Sequence, residues 1–142
     1  DTASMLARLD LPLTEGDLAT SVITATAIAH DAATHLSTLA FDGGSLHLIN
    51  AQPPALGSQR RLRIQARDVS LSLQPPQHSS ILNSLPATVQ SVREDSPGYA
   101  MVAVRTGSAT LLARISQHSA QQLGIHAQQL VFIQVKSVAL LD

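Results

Sequence analysis

Between residues 20 and 75 the apolar positions recur mostly at every second residue, the period of a strand with one face buried. Val22 to Ala29 is rich in Thr and branched residues, and Leu36 to Phe41 is a second short run. Asp42-Gly43-Gly44 has the composition of a hairpin turn and leads into Leu46-His47-Leu48-Ile49. The clearest alternation follows. Leu62, Ile64 and Ala66 are apolar among Arg61, Arg63, Gln65 and Arg67, and then Val69, Leu71 and Leu73 alternate with Ser70 and Ser72. Asp68 fills one position between the two runs and changes their parity, so a bulge or bend is expected there. Gln74-Pro75-Pro76-Gln77 then breaks the sheet and is read as the separation between two lobes.

The second half repeats the style. Ala87 to Val92, Ala100 to Arg105 and Thr110 to Ile115 read as strands joined by turns at Asp95-Ser96-Pro97-Gly98 and Thr106-Gly107-Ser108. Ser116 stands where an N-cap belongs and Gly124 where a left-handed residue ends a helix, which predicts one short helix between them. A last strand is expected from Leu130 to Leu140, with Val131, Ile133 and Val135 inward. Upstream, Met5, Leu6 and Leu9 have helical spacing behind Ser4, and Thr14 to Thr20 is polar and turn-prone. Residues 1–20 are therefore read as a linker remnant with a short helix. Short strands with frequent turns and one small helix predict a small β-barrel or a pair of them. The expected division is 21–75 for a first lobe and 76–142 for a second.

Composition narrows the possibilities. The 142 residues are 44% hydrophobic, 2% aromatic and 13% charged, so the chain can bury a core and is not a disordered tail, a coiled coil or a collagen-like repeat. A net charge of −1 provides no global field for a polyanion. The absence of cysteine removes disulfides, thiolate metal sites and a cysteine nucleophile. No apolar run is long enough for a membrane-spanning helix, and nothing at the N-terminus resembles a signal peptide. With Asp1 and no initiator Met, the sequence reads as a processed chain or an excised domain.

Candidate chemistry is sparse. The six histidines lie at 30, 35, 47, 78, 118 and 126, with no pair at a helical metal-ligand spacing. No Gly-x-Ser-x-Gly elbow supports a hydrolase, and no Gly-x-x-x-x-Gly-Lys-Ser/Thr loop is present to cradle ATP, so no enzyme is expected in this chain. Arg60, Arg61, Arg63 and Arg67 form the only dense positive group. With only Phe41, Tyr99 and Phe132 as stacking platforms, a solvated sheet face explains it better than nucleic-acid binding. The more informative set is rich in small donors: Ser79-Ser80-Ile81-Leu82-Asn83, Ala113-Arg114-Ile115-Ser116, and Lys136-Ser137 within an apolar final strand. Hydroxyls, backbone N–H groups and an ammonium are the chemistry of an oxyanion site. The alternative is that Ser116 only caps its helix and Lys136 extends to solvent.

Arg63 to Leu73, Ser79 to Ala87, Leu112 to Ser116 and Val135 to Val138 occur in the order found in one family. Together they resemble the C-terminal regulatory region, of the TOBE or Mop type, of the ATP-binding subunit of bacterial molybdate ABC importers. The part from Ser79 to Leu141 is similar to the molybdenum-binding Mop domain, and Val22 to Leu73 to the lobe that precedes it. Leu6 to Pro12 resembles the stretch that joins the region to the nucleotide-binding domain. The resemblance implies an all-β fold of two small OB-like barrel lobes, the second carrying the short helix. It also implies a homodimer that binds molybdate or tungstate where subunits meet. Its partners would be the ATPase domain of the same chain and a membrane permease, with no nucleic acid and no insertion into the bilayer. The implied location is cytoplasmic, at the inner face of the bacterial membrane.

Carried over motif by motif, the resemblance assigns Ser80 and Asn83, Ala113 and Ser116 with Arg114 beside them, and Lys136 and Ser137 as oxyanion-binding residues. The sequence departs from the family at Leu82, where many members have arginine, and so lacks a guanidinium. Asp and Glu are absent from all three motifs, which suits a fully ionised dianion over a protonated phosphate. Two other readings follow from the same residues: a dimerisation module that has lost its ligand, and an accessory barrel that binds a regulatory protein.

Overall fold

The computed structural model describes residues 19–141. The helix expected at Ser4 to Asp10 and nearly all of the linker lie outside them. The strands are β1 (Thr20–Asp31), β2 (Leu36–Phe41), β3 (Gly44–Ile49), β4 (Gln59–Gln65), β5 (Val69–Ser72), β6 (Asn83–Ser96), β7 (Tyr99–Thr106), β8 (Ala109–Ser116), β9 (Leu130–Val135) and β10 (Ala139–Leu140); one helix, α1 (Gln117–Leu123), follows β8. The fold is all-β, with two OB-like lobes built on two five-stranded sheets ordered β10-β4-β1-β2-β3 and β5-β9-β6-β7-β8.

Local chemistry accounts for most boundaries. Asp42-Gly43 forms the tight turn between β2 and β3. The parity change at Asp68 is a single 3-10 turn, Ala66–Asp68, that buries Ala66 and swings the chain from β4 in one sheet to β5 in the other. Ser116 caps α1 by accepting a hydrogen bond from the Ser119 N–H, and Gly124 ends the helix at φ 64°.

β6 extends beyond the expected Ala87 to Val92 at both ends, and Pro86 lies inside the strand. Up to Thr88 β6 is paired with β9, and its pairing with β7 begins only at Thr88; the missing N–H of Pro86 therefore falls where one side of the strand has no partner.

The expected final strand is two strands. Lys136 and Ser137 are exposed at a crossover, after which β10 joins the other sheet beside β4. The backbone N–H of Lys136 donates to the Asp68 carbonyl at 2.9 Å, so both chain crossings between sheets are tied together.

Each half of the sequence thus gives one strand to the other half's sheet: β5 pairs with β9 and β10 with β4. Buried residues of both sheets, among them Leu39, Leu46, Leu62 and Ile64 with Val89, Val104, Leu111 and Ile133, form one continuous core. Met101, Ala103 and Leu112 face the opposite way against Ala66, so β7 is buried on both faces and reads as an unbroken apolar run.

Candidate functional site

The exchange of strands brings three distant segments to one edge of the first sheet. Ser80, Ile81, Leu82 and Asn83 enter β6; Lys136, Ser137 and Val138 form the crossover; Leu36, His47, Leu48 and Ile49 come from β2 and β3. Together they line a cavity of about 480 Å³. Four of the residues singled out in the sequence, Ser80, Asn83, Lys136 and Ser137, therefore share one hollow.

Among the described residues no Asp or Glu lines the cavity, and the ionisable ones that do are Lys136 and His47. Ser80, Lys136 and Ser137 are exposed to solvent. Asn83 is buried, and its amide is engaged with the edge of β3. Its Oδ1 accepts from the His47 N–H at 2.7 Å, and its Nδ2 donates to the His47 carbonyl at 2.8 Å. The side chain imitates a neighbouring strand and satisfies the backbone N–H and carbonyl of one residue on an otherwise open edge. Leu82, 58% exposed, stands on the cavity with no donor to offer.

Ala113, Arg114 and Ser116 do not line this cavity. Ala113 is fully buried in β8. The Arg114 guanidinium donates from Nε to Asp95 at 2.8 Å and from Nη2 to Ser96 at 3.2 Å, and lies 3.6 Å over the Tyr99 ring. It thereby braces the end of the β6–β7 hairpin against β8. The Ser116 hydroxyl accepts from the Ser119 N–H at 3.0 Å and donates to the Ser119 hydroxyl at 2.9 Å.

Ser116 is paired with Tyr99 at the hairpin end, whereas Asn83 begins β6. The 14 residues of that strand measure roughly 40 Å along the backbone. Within one chain the two groups lie at opposite ends of a strand. His47 is the ionisable lining residue that sequence reasoning missed: it lies 36 positions from Asn83 in the chain, in no motif, and only the sheet edge brings it there.

The architecture is thus an OB-like fold with a hydroxyl-bearing hollow at a sheet edge. Residues 79–141 match the TOBE domain family. Nearly the whole chain resembles the C-terminal region of molybdenum import ATP-binding proteins. It is 45% identical over 140 residues to ModC of Albidiferax ferrireducens, covering 99% of this chain and 38% of that protein. It is 46% identical over 138 residues to ModC of Methylococcus capsulatus, covering 96% and 38%. The chain thus spans well under half the length of these relatives. Among solved structures, the cytoplasmic molybdate-binding protein ModG, crystallised with molybdate bound, superposes with a TM-score of 0.74 at 19% identity. The match covers 84% of this chain and 94% of that one and shows a shared fold. Among the described residues no helix is long and apolar enough to cross a membrane.

Proposed function

We propose that the chain is the oxyanion-sensing regulatory domain of a molybdate importer's ATP-binding subunit, taking molybdate or tungstate where two copies meet. The observation that carries this reading is the convergence of Ser80, Asn83, Lys136 and Ser137 from two separate segments on one cavity that no carboxylate lines among the described residues. A compact dianion needs many donors and few acceptors, and hydroxyls with an ammonium supply them. The names of the relatives and of the structural neighbour agree with that chemistry.

A second chain would complete the site. The Ala113 to Ser116 segment is far from the cavity in its own chain, so its backbone groups and Ser116 reach an anion only across an interface. Exposed Ile49 and Leu82 on the cavity rim give such an interface apolar surface. In the full transporter, ligand binding between paired domains would favour one arrangement of the two ATPase subunits and restrain import at the cytoplasmic face when molybdate is plentiful. The partners on this reading are a second copy, the ATPase domain and a membrane permease.

Calorimetric titration of the purified chain with molybdate, with sulfate and phosphate as controls and oligomeric state measured alongside, tests the proposal. Saturable molybdate binding by a dimer, lost in Lys136→Ala, is the expected result. A folded dimer that answers to no oxyanion would overturn it and leave a dimerisation module, with Leu82 in place of a guanidinium as the physical reason.

A further inference from the structure

We infer that His47, carried by the first sheet, is an oxyanion-binding residue of the Lys136 cavity and provides a donor where Leu82 has none. The inference rests on the oxyanion reading above and extends it to the other lobe.

His47 is held at three points. Its backbone N–H and carbonyl are both bonded to the Asn83 amide, at 2.7 and 2.8 Å. Its ring Nδ1 lies 2.9 Å from the hydroxyl of Thr38, its direct cross-strand partner on β2. The two backbone bonds fix the position of the residue on the strand, and the Thr38 contact orients its half-buried ring. No hydrogen bond among the described residues occupies Nε2, and the residue lines the cavity. When the Thr38 hydroxyl donates to Nδ1, the neutral ring carries its proton on Nε2. The protonated ring carries one there as well, so either form offers a donor to an anion.

The charge pattern agrees. Among the described residues Lys136 is the other ionisable one lining the cavity, and no carboxylate there competes with an anion for either group. Lys136 and Ser137 come from the crossover, Ser80 and Asn83 from the entry to β6, and His47 from β3, so donors reach the cavity from three elements and both sheets. His30 provides an internal contrast: its Nδ1 meets the Ser37 hydroxyl at 2.8 Å, yet it does not line the cavity.

The test is titration of the purified chain with molybdate, using His47→Ala, His47→Gln and His30→Ala, together with nitrogen NMR of the six imidazoles of the unsubstituted chain. His47→Ala is expected to weaken binding about tenfold or more, as for loss of a hydrogen bond to a charged group. His47→Gln, which keeps an N–H donor, recovers part of that loss, and His30→Ala binds as the unsubstituted chain does. In the spectra the His47 signals shift with the same midpoint as the heat, a readout that needs no variant to fold. If the chain binds molybdate and loses it in Lys136→Ala, while His47→Ala binds within twofold and the His47 signals stay still, the role of His47 is overturned and the oxyanion reading stands. If the unsubstituted chain binds no oxyanion, both fall.

Discussion

At the scale of one residue, Asn83 joins a packing role to a proposed binding role. The family resemblance implies that it is a ligand, while its buried amide makes two hydrogen bonds to the backbone N–H and carbonyl of His47. Asn83→Ala removes both and leaves a backbone donor and acceptor at a sheet edge without that partner. A loss of roughly 2 kcal/mol is expected in urea unfolding. Ser116 is a similar case: its hydroxyl caps α1, and Ser116→Ala is expected to cost about 1 kcal/mol whether or not oxyanion is present. Measuring the same variant with and without molybdate separates capping from binding, since a ligand adds stability only through the state that binds it. The cap was legible in the sequence, because Ser116 and Gly124 bracket the helix. The engagement of Arg114 was not, because Asp95 and Tyr99 become its neighbours only through the register of β6, β7 and β8.

At the scale of elements, two hairpin turns meet tip to tip. Gly107 has a left-handed φ of 60°, and a side chain there would strike Asp42 and the Gly43 backbone. A side chain on Gly43 would lie 2.6 Å from the Phe41 ring and 2.7 Å from the Thr106 hydroxyl. Gly107→Ala is thus both conformationally strained and sterically blocked, and is expected to lower the thermal midpoint more than Gly98→Ala, where φ is positive but the space is open.

The same contact holds Asp42 in place. The Ser108 backbone N–H reaches its carboxylate at 3.0 and 3.1 Å. That bond, then the Ser108 hydroxyl, with Arg105 adding a little, lowers the carboxyl pKa below its ordinary 3.8. A depressed folded-state pKa stabilises above the unfolded value and is lost as pH falls through the folded one. The acid limb of stability, from about pH 5 downward, is therefore expected to be shallower in Asp42→Asn, as followed by thermal unfolding at several pH values. Because Asp42 is exposed, the difference is small. The turns themselves were readable from Asp-Gly-Gly and Thr-Gly-Ser; their contact joins residues 66 positions apart and has no local signature.

The exchanged strands govern the whole molecule. β5 and β10 each complete the sheet of the other half, and a single core runs through both. Unfolding is therefore expected to be one cooperative transition, with calorimetric and van't Hoff enthalpies in agreement; two separated transitions would contradict it. Removing residues 139–142 takes away β10, exposes the edge of β4 and frees the crossover that carries Lys136 and Ser137. Lower stability and weakened oxyanion binding are expected together, the second because that wall of the cavity loses its anchor.

The sequence by itself determined the all-β class, the hairpins, the helix and its caps, and the bend at Asp68. Each is written in a period of two, a turn dipeptide or a capping residue, and so acts over a few positions. Its motifs also named Ser80, Asn83, Lys136 and Ser137. Only the tertiary structure decided that these four share a hollow, that the last apolar run breaks at Lys136, that Pro86 lies within a strand, and that His47 faces the same space. Those outcomes depend on which strands become neighbours, a choice made by burial of one common core across segments far apart in the chain.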